Sequence, residues 1–202
     1  VGGYEASKLE AHFATLDVMA AKGGEMTVVH PATVCGHSRT GHIVDGQPLV
    51  ELIRNLVQGK LTAVPGTARH WLPLVTVDYL VELVAACAFD PAMAGQELLA
   101  LDEQTPDLRE LLKQLAHPLG IKSPNYFISL RLLKLLLRIP PVARRLNTQP
   151  EALDFIQTTR FDTTAVEQFA NRHGIAKPEI RQSLQHTATF VNSHCLARGQ
   201  AR

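Results

Sequence analysis

The sequence is poor in the features that mark several large classes of protein. It has only three cysteines, and this odd, widely spaced set argues against a disulfide framework and for a reducing compartment. Lysine and arginine total 20 and aspartate and glutamate total 19, so the net charge of +1 predicts no nucleic-acid partner. No cluster of cysteine and histidine has the spacing of a zinc site. We expect no metal and a core role for each thiol, in Cys35, Cys87 and Cys195.

Long apolar runs are also missing. The longest, near Leu130 to Ile139, is interrupted by Arg131, Lys134 and Arg138, and no signal peptide is visible. With 46% hydrophobic and 19% charged residues, the 202 residues suit one globular domain or a domain and a half. We therefore predict a cytoplasmic protein without membrane contact.

The first residues present carry the clearest chemical signal. If Gly3 to Ala11 opens a helix, Tyr4 and Lys8 are four positions apart and share a face. A neighbouring ammonium stabilises a phenolate and so lowers the pKa of a phenol from about 10. Tyr4 could then exchange a proton with a carbonyl or hydroxyl group. The bare spacing is also compatible with an ordinary surface pair.

A helix from Tyr4 to about Lys22 is predicted by a stripe of apolar residues, and Gly23 and Gly24 end it. The stripe lies away from Tyr4 and Lys8, so we expect it to be buried: Leu9, Phe13, Leu16 and Ala20. The β-branched segment Met26 to His30 then predicts a buried strand. A helix followed by a strand favours a parallel sheet.

Three short motifs of the sequence, in this order along the chain, resemble motifs of the extended short-chain dehydrogenase/reductases. They are Gly-Tyr-Glu-Ala-Ser-Lys-Leu-Glu-Ala from Gly3, Val-Val-His-Pro-Ala-Thr-Val-Cys-Gly from Val28, and Leu-Pro-Leu-Val-Thr-Val-Asp-Tyr from Leu72. Within that superfamily they look most like the thioester reductase and fatty acyl reductase branch. Two later motifs, Phe-Asp-Thr-Thr from Phe161 and His-Gly-Ile from His173, resemble the C-terminal part of sequences in the same branch.

The resemblance implies roles for individual residues. Tyr4 would be the general acid, and Lys8 would lower its pKa and bind the nicotinamide ribose. The loop after the strand would hold the nicotinamide carboxamide through its backbone, at Pro31, Ala32, Thr33 and Val34. His30 replaces the arginine that is usual there, and we assign it a structural role. The family's substrate-binding serine or threonine would lie upstream, and Ser7 does not replace it.

No Gly-x-Gly-x-x-Gly or Gly-x-x-Gly-x-x-Gly follows a strand, and the pair at Gly23 has the wrong order for a phosphate loop. Tyr4 also comes at once, without an initiator methionine. The sequence therefore predicts a helix-rich α/β fold: the C-terminal part of a Rossmann-like domain in residues 1–102, lacking its Gly-rich half, and a mostly helical substrate-binding extension in residues 103–202. We expect such a fragment to be inactive alone.

The resemblance implies that the polar loop from His37 to Gly46 borders the substrate pocket. Ser38, Arg39 and Thr40 could bind a phosphate or phosphopantetheine group, since arginine presents a planar fork to anionic oxygens. A plain solvated loop is the alternative.

Elsewhere, periodicity predicts helices at Pro48 to Gln58, Thr76 to Phe89, Pro106 to Ala116 and Glu179 to Ser193, and another after Asp162 or Thr163. Short extended pieces are expected at 61–65 and 71–75, and a last strand at 97–101. Trp71 is assigned to the core. Either Thr76 or Asp78 is expected to satisfy free amides in the first turn of the helix from Thr76 to Phe89, and Asp78 also suits its positive end.

The segment Tyr126 to Leu146 is strongly apolar and basic. Pro140 and Pro141 are expected to stop its helix. Apolar residues around most of its circumference favour packing between other elements or a subunit contact. A wall of a lipophilic substrate channel and a membrane-surface helix are the alternatives.

The resemblance implies an NAD- or NADP-dependent reductase of an acyl thioester, carried by a carrier protein or coenzyme A, or of a related carbonyl compound. The alternatives are a nucleotide-sugar epimerase or dehydratase of the same superfamily and a non-catalytic interaction module. A homodimer would be common in the superfamily. The discrimination between NAD and NADP would lie in the absent half.

Overall fold

The computed structural model describes residues 3–146 and 150–196. Eight α-helices lie within these residues: α1 (Gly3–Ala21), α2 (Pro48–Val57), α3 (Val77–Phe89), α4 (Leu108–Ala116), α5 (Leu130–Leu137), α6 (Pro140–Leu146), α7 (Thr164–Arg172) and α8 (Ile180–Phe190). The strands are short: β1 (Val28–Pro31), β2 (Thr33–Cys35), β3 (Val64–Pro65), β4 (Leu74–Thr76), β5 (Glu97–Ala100) and β6 (Phe127–Ile128). The predicted helix-rich α/β class is confirmed.

The strands form three parallel pairs, β1 with β5, β2 with β4, and β3 with β6. One extended stretch supplies both β1 and β2 and changes partner at Ala32, whose amide donates to Ala100 O (2.9 Å) while the next amide, of Thr33, donates to Pro73 O (3.1 Å). The parallel arrangement confirms the prediction. The observed strand β1 begins at Val28, two residues later than the predicted segment Met26 to His30. It is half-buried and not buried, because it has one described neighbour strand.

Two apolar clusters form the core, and each draws on both halves of the chain. One unites α2, α4 and α8, with the predicted α4 stripe fully buried: Leu108, Leu111, Leu112 and Leu115. The other unites α3 and β5 with Val166, Phe169 and Ala170 of α7. The proposed boundary after Asp102 stays a prediction.

The apolar stripe of α1 is not buried, contrary to the prediction. Leu9 and Phe13 are each 56% exposed, Ala20 is exposed, and Leu16 is half-buried. The reason is that no described element covers this face of the helix. Periodicity identified the apolar face of α1 correctly, but it could not show what would cover it.

The segment Tyr126 to Leu146 is not one packed helix. It contains β6, α5 and α6. α5 ends at Leu137, before the two prolines, as predicted. Pro140 begins α6, a position where the missing N–H of proline has no intrahelical partner to lose. Leu132, Leu135 and Ile139 are about half exposed, and only Leu137 of α5 is buried. Within the described residues, no helix is both long and apolar enough to cross a bilayer.

Trp71 is fully buried, as predicted, and anchors the segment before α7. Its indole N–H donates to Thr159 O (2.9 Å), its backbone pairs with Gln157, and the guanidinium of Arg160 lies 3.9 Å from its ring. Asp162 accepts bonds from the amide and hydroxyl of Thr164 at the start of α7. α8 begins and ends close to its predicted bounds, whereas the side chain of Cys195 and residues 197–202 lie outside the described part.

Candidate functional site

The candidate site begins at the N-terminal end of α1. Tyr4 and Lys8 are one helical turn apart there, so they share a face of the helix as predicted. The side chain of Tyr4 lies outside the described residues, whereas Lys8 is exposed to solvent. Placing Lys8 in the fold therefore depends on how α1 runs relative to β1.

α1 and β1 run in opposite directions. Gly23 adopts a left-handed conformation (φ +67°), and the amide of Gly24 returns to Met19 O (2.9 Å), so the chain reverses where α1 ends. Only residues 25–27 then separate this turn from β1, too few to carry the chain back along the 19-residue helix. Tyr4 and Lys8 therefore lie towards the carboxyl end of β1.

A contact fixes the level of Lys8 along the strand. The imidazole rings of His12, in α1, and His30, in β1, have centroids 5.7 Å apart. Lys8 precedes His12 by one turn, about 6 Å along the helix, which corresponds to about two residues of a strand. Lys8 is thus level with Ala32, beside the segment predicted to meet the nicotinamide.

That segment is less of a loop than predicted, since Pro31 ends β1 and Thr33 and Val34 belong to β2. Pro31 is exposed and the next three residues are half-buried. The amides of Ala32 and Thr33 are already engaged with carbonyls of neighbouring strands, so these two donors are not available to a ligand. A flat apolar ring fits against small side chains of this kind, and the remaining polar contacts would come from carbonyls and the Thr33 hydroxyl.

The carboxyl ends of the strands converge next to this segment. Cys35 at the end of β2 is paired with Thr76 at the end of β4, and the amide of Asp102, just after β5, donates to Leu74 O (2.8 Å). In open α/β sheets, ligands bind at this edge. The Cys35 thiol is buried, and burial raises its pKa to about 12, so it is a core residue, as predicted, and not a nucleophile.

The loop after β2 is held rigidly from two sides. Asp78, in the first turn of α3, accepts the amide (3.0 Å) and the hydroxyl (2.5 Å) of Ser38. On the other side, a ring nitrogen of His186 in α8 lies 2.6 Å from Ser38 O. A Cβ at Gly41, whose φ is +69°, would meet His186 O at 2.0 Å, so only glycine fits there.

These contacts bear on the roles predicted for two residues. Ser38 is buried, and its hydroxyl is bonded to Asp78, so it supports the loop and its hydroxyl is already engaged. Asp78 accepts its own amide in the first turn of α3, in line with the predicted structural role, and it also fastens a loop 40 residues away. Burial acts to raise the pKa of Asp78, but the bonds from Ser38 outweigh it and hold this pKa below its usual value.

Arg39 and Thr40 are both exposed at the outer edge of this loop. They keep the accessibility that binding an anionic group would require, while the buried bonds of Ser38 fix the backbone beneath them. Within residues 3–146 and 150–196, no group of three or more histidine, cysteine, aspartate or glutamate side chains is arranged to hold a metal ion.

Several residues of this region were missed from the sequence. His12 is four positions after Lys8 and eight after Tyr4, and that spacing alone could have drawn attention to it. Glu97 and His186 reach the region from distant parts of the chain, and no local pattern signals them.

The comparisons with known proteins bear on these residues. Residues 1–84 match an NAD-binding family model described as "Male sterility protein". This match includes all of the predicted site residues and supports NAD or NADP as the cofactor. No curated protein sequence matches the chain.

Three solved structures share the fold. The terminal R domain of the myxalamid PKS-NRPS biosynthetic pathway has a TM-score of 0.70 and 20% identity, over 98% of this chain and 50% of that one. For gox2253 the TM-score is 0.68 and the identity is 20%, over 96% of this chain and 57% of that one. RMD from Pseudomonas aeruginosa, complexed with NADPH, gives 0.57 and 17%, over 95% and 56%.

The chain thus spans about half the length of the structures that it resembles. Its fold agrees with theirs over nearly all of its own residues. The family match confirms, for residues 1–84, the resemblance to the extended short-chain dehydrogenase/reductases in their thioester reductase and fatty acyl reductase branch, and the solved structures show that the fold is shared.

Proposed function

We propose that this chain provides the acid-catalysis helix and the substrate-side part of an NAD(P)H-dependent reductase that acts on an acyl thioester or a related carbonyl compound. The observation that supports this most directly is the family match over residues 1–84, which includes Tyr4, Lys8 and the strand segment beside them. The fold shared with a terminal R domain of a PKS-NRPS pathway favours a thioester on a carrier protein or coenzyme A as the substrate class.

In this proposal the phenol of Tyr4 donates its proton to the oxygen of the substrate carbonyl. The Lys8 ammonium, one turn away, lowers the pKa of that phenol and binds a ribose hydroxyl. Both groups also stabilise negative charge as it develops on the oxygen. When bound, the reduced nicotinamide supplies the hydride, and Pro31 to Val34 form the surface against which its ring would lie.

The residues of this chain suit the nicotinamide end of the cofactor better than its diphosphate. Small, half-buried side chains line the strand end, and a lysine lies at the same level. No glycine-rich phosphate loop occurs in the 202 residues. We therefore expect residues 1–202 alone to consume no NADPH, and turnover by this chain would contradict that expectation.

The proposal is tested by NADPH consumption with the complete polypeptide and two substrates, a long-chain acyl thioester and a nucleotide sugar. We expect consumption only with the thioester, and a loss of at least about 100-fold in kcat for Tyr4→Phe because general acid catalysis is removed. Tyr126→Phe, at a side chain that is 82% exposed, is the matched control. An unchanged rate in Tyr4→Phe would rule out Tyr4 as the proton donor.

A redox-neutral epimerase or dehydratase acting on a nucleotide sugar is the second candidate. It is favoured by the fold shared with a human epimerase family protein solved with NADPH, at a TM-score of 0.51 over 80% of this chain. Conversion of the sugar without net NADPH consumption would establish this candidate. If the polypeptide binds NADPH but converts neither substrate, an interaction module remains.

The exposed pair Arg39 and Thr40 is proposed to bind the phosphate of a phosphopantetheine arm. Arg39→Ala should then raise KM about tenfold for a coenzyme A thioester, which is about the value of one charge-assisted hydrogen bond. The same variant should leave KM unchanged for an N-acetylcysteamine thioester, which has no phosphate. Arg69→Ala, in another exposed loop, is the control. Equal effects on both substrates would contradict a phosphate contact.

A further inference from the structure

Three titratable side chains from three elements meet where α1 crosses the β1–β5 pair. One carboxylate oxygen of Glu97, in β5, lies 3.2 Å from Nε2 of His30, in β1. The other lies 4.0 Å from Nε2 of His12, in α1. Each oxygen of the Glu97 carboxylate thus faces a different imidazole. The two imidazole rings are tilted relative to each other, with centroids 5.7 Å apart.

His12 differs from the residues around it on α1. Its side chain is only 21% exposed, whereas Leu9, Phe13 and Val18 are all more than half exposed. The partly covered face of α1 thus carries His12 together with Leu16 and Met19, while Leu9, Phe13 and Ala20 of the apolar stripe stay exposed. Because so little apolar surface of α1 is covered, polar contacts carry more of the task of holding it in place.

We infer that His12, His30 and Glu97 form a clamp that fixes α1 on the β1–β5 pair and thereby positions the catalytic face of the helix. Lys8 is one turn before His12, so a shift of α1 along the strands displaces its ammonium by the same distance. A misplacement of about 1 Å can lower a rate about 100-fold. The clamp itself is independent of the proposed function, whereas its positioning role rests on that function.

The clamp should depend on pH. The titratable groups that the contacts place together are His12 from α1, His30 from β1 and Glu97 from β5. Imidazoles commonly change charge between pH 5 and 8. With His12 protonated, an ion pair holds α1 to the carboxylate of Glu97, and with His12 neutral that ion pair is lost, while the hydrogen bond between His30 and Glu97 joins only the two strands. α1 should accordingly be held more tightly at pH 6 than at pH 8.

Amide hydrogen exchange of α1 in the complete polypeptide tests the clamp without any substrate. After correction for intrinsic rates, Glu97→Gln should speed exchange of the α1 amides about threefold at pH 6 and hardly at pH 8, the scale of a partly exposed ion pair. Glu82→Gln, an exposed glutamate of α3, is the matched control and should have no effect at either pH. Unchanged α1 exchange in Glu97→Gln at pH 6 would overturn the clamp.

His12→Lys provides a rescue, because it places a permanent cation on α1 beside Glu97. In this variant we expect α1 to stay protected at pH 8, so that the pH dependence of exchange disappears. If the pH dependence persists in His12→Lys, the ionic explanation is wrong.

Activity separates the clamp from the proposed function. In an active reductase, the ratio of kcat for Glu97→Gln to that of the wild type should be lower at pH 6 than at pH 8. A ratio that does not change with pH would contradict the positioning role. If the exchange results hold but no reductase activity is found, the clamp stands and the proposed function fails.

Discussion

At the scale of single residues, Asp78 holds the loop beside the candidate site through two hydrogen bonds from one residue. It accepts both the amide and the hydroxyl of Ser38 and so ties α3 to the loop that carries Arg39. We expect Asp78→Asn to lower the free energy of unfolding by about 1–2 kcal/mol at pH 7, since hydrogen bonds to a charged acceptor are lost. Urea denaturation measures this change, with the exposed Asp17→Asn as control.

The pH dependence of this effect has a definite sign. The folded-state pKa of Asp78 is depressed, so its stabilisation is fully present above the unfolded-state value of about 4 and is lost as pH falls through the folded-state pKa. The difference between wild type and Asp78→Asn should therefore shrink below pH 4. An equal difference at pH 7 and pH 3 would show that the carboxylate charge is not responsible.

Sequence reasoning at this scale suggested a chemistry, which stays a prediction, but it could not give the contacts. Tyr4 and Lys8 could be paired because four residues of helix separate them, a distance that the sequence itself encodes. The bond between Ser38 and Asp78 joins residues 40 positions apart, and neither residue type demands the other. Ser38 was therefore predicted as a possible substrate-binding residue from its place in the polar loop after a strand and from the family resemblance.

At the scale of elements, α5 offers a direct comparison between two leucines on one helix. Leu137 is 3% exposed and Leu135 is 58% exposed. Leu137→Ala should lower the free energy of unfolding by about 2–4 kcal/mol, from lost burial and the cavity left behind. Leu135→Ala should change it by less than about 0.5 kcal/mol, because its side chain already meets water. Urea denaturation of both variants checks this, and similar losses would indicate that α5 is covered in solution.

The elements themselves were the most predictable level of this fold. α2 and α4 were located within two residues at either end, because their leucines recur at helical spacing and are all directed into one cluster. α1 was also located within one residue at either end, but the burial predicted for the apolar faces of α1 and α5 was wrong, because both faces lie open. A periodic pattern identifies the face of a helix that prefers to be buried, whereas covering that face depends on elements elsewhere.

At the scale of the whole molecule, the two core clusters are accompanied by a polar junction around Lys177. This lysine lies in the connection between α7 and α8, and its ammonium is 2.5 Å from Glu103, 3.8 Å from Glu167 and 3.9 Å from Asp102. Asp102 and Glu103 come two and three residues after the end of β5, so the junction ties the C-terminal helices to the end of a strand. No sequence pattern indicated it, because its members come from three separate segments.

Removing the cation from this junction should destabilise the whole fold. Lys177 is 23% exposed, so the expected loss for Lys177→Met lies between that of a surface pair and that of a buried one, about 2 kcal/mol at pH 7. Lys113→Met removes a more exposed lysine with a single partner, Glu110 at 3.5 Å, and should cost less than about 0.5 kcal/mol. Urea denaturation of the two variants gives both values.

The loss in Lys177→Met should depend on pH because its carboxylate partners titrate. Burial raises the pKa of Asp102, so its ionisation weakens the fold above that pKa, and without Lys177 this pKa rises further. Burial also acts to raise the pKa of Glu103, but the Lys177 bond outweighs it, so that stabilisation is present above the unfolded-state value and lost below it. Both effects make the loss in free energy of unfolding of Lys177→Met, relative to the wild type, largest near pH 7 and smaller below about pH 5. A deficit that does not change across this range would mean that Lys177 stabilises the junction through the packing of its alkyl chain and not through its charge.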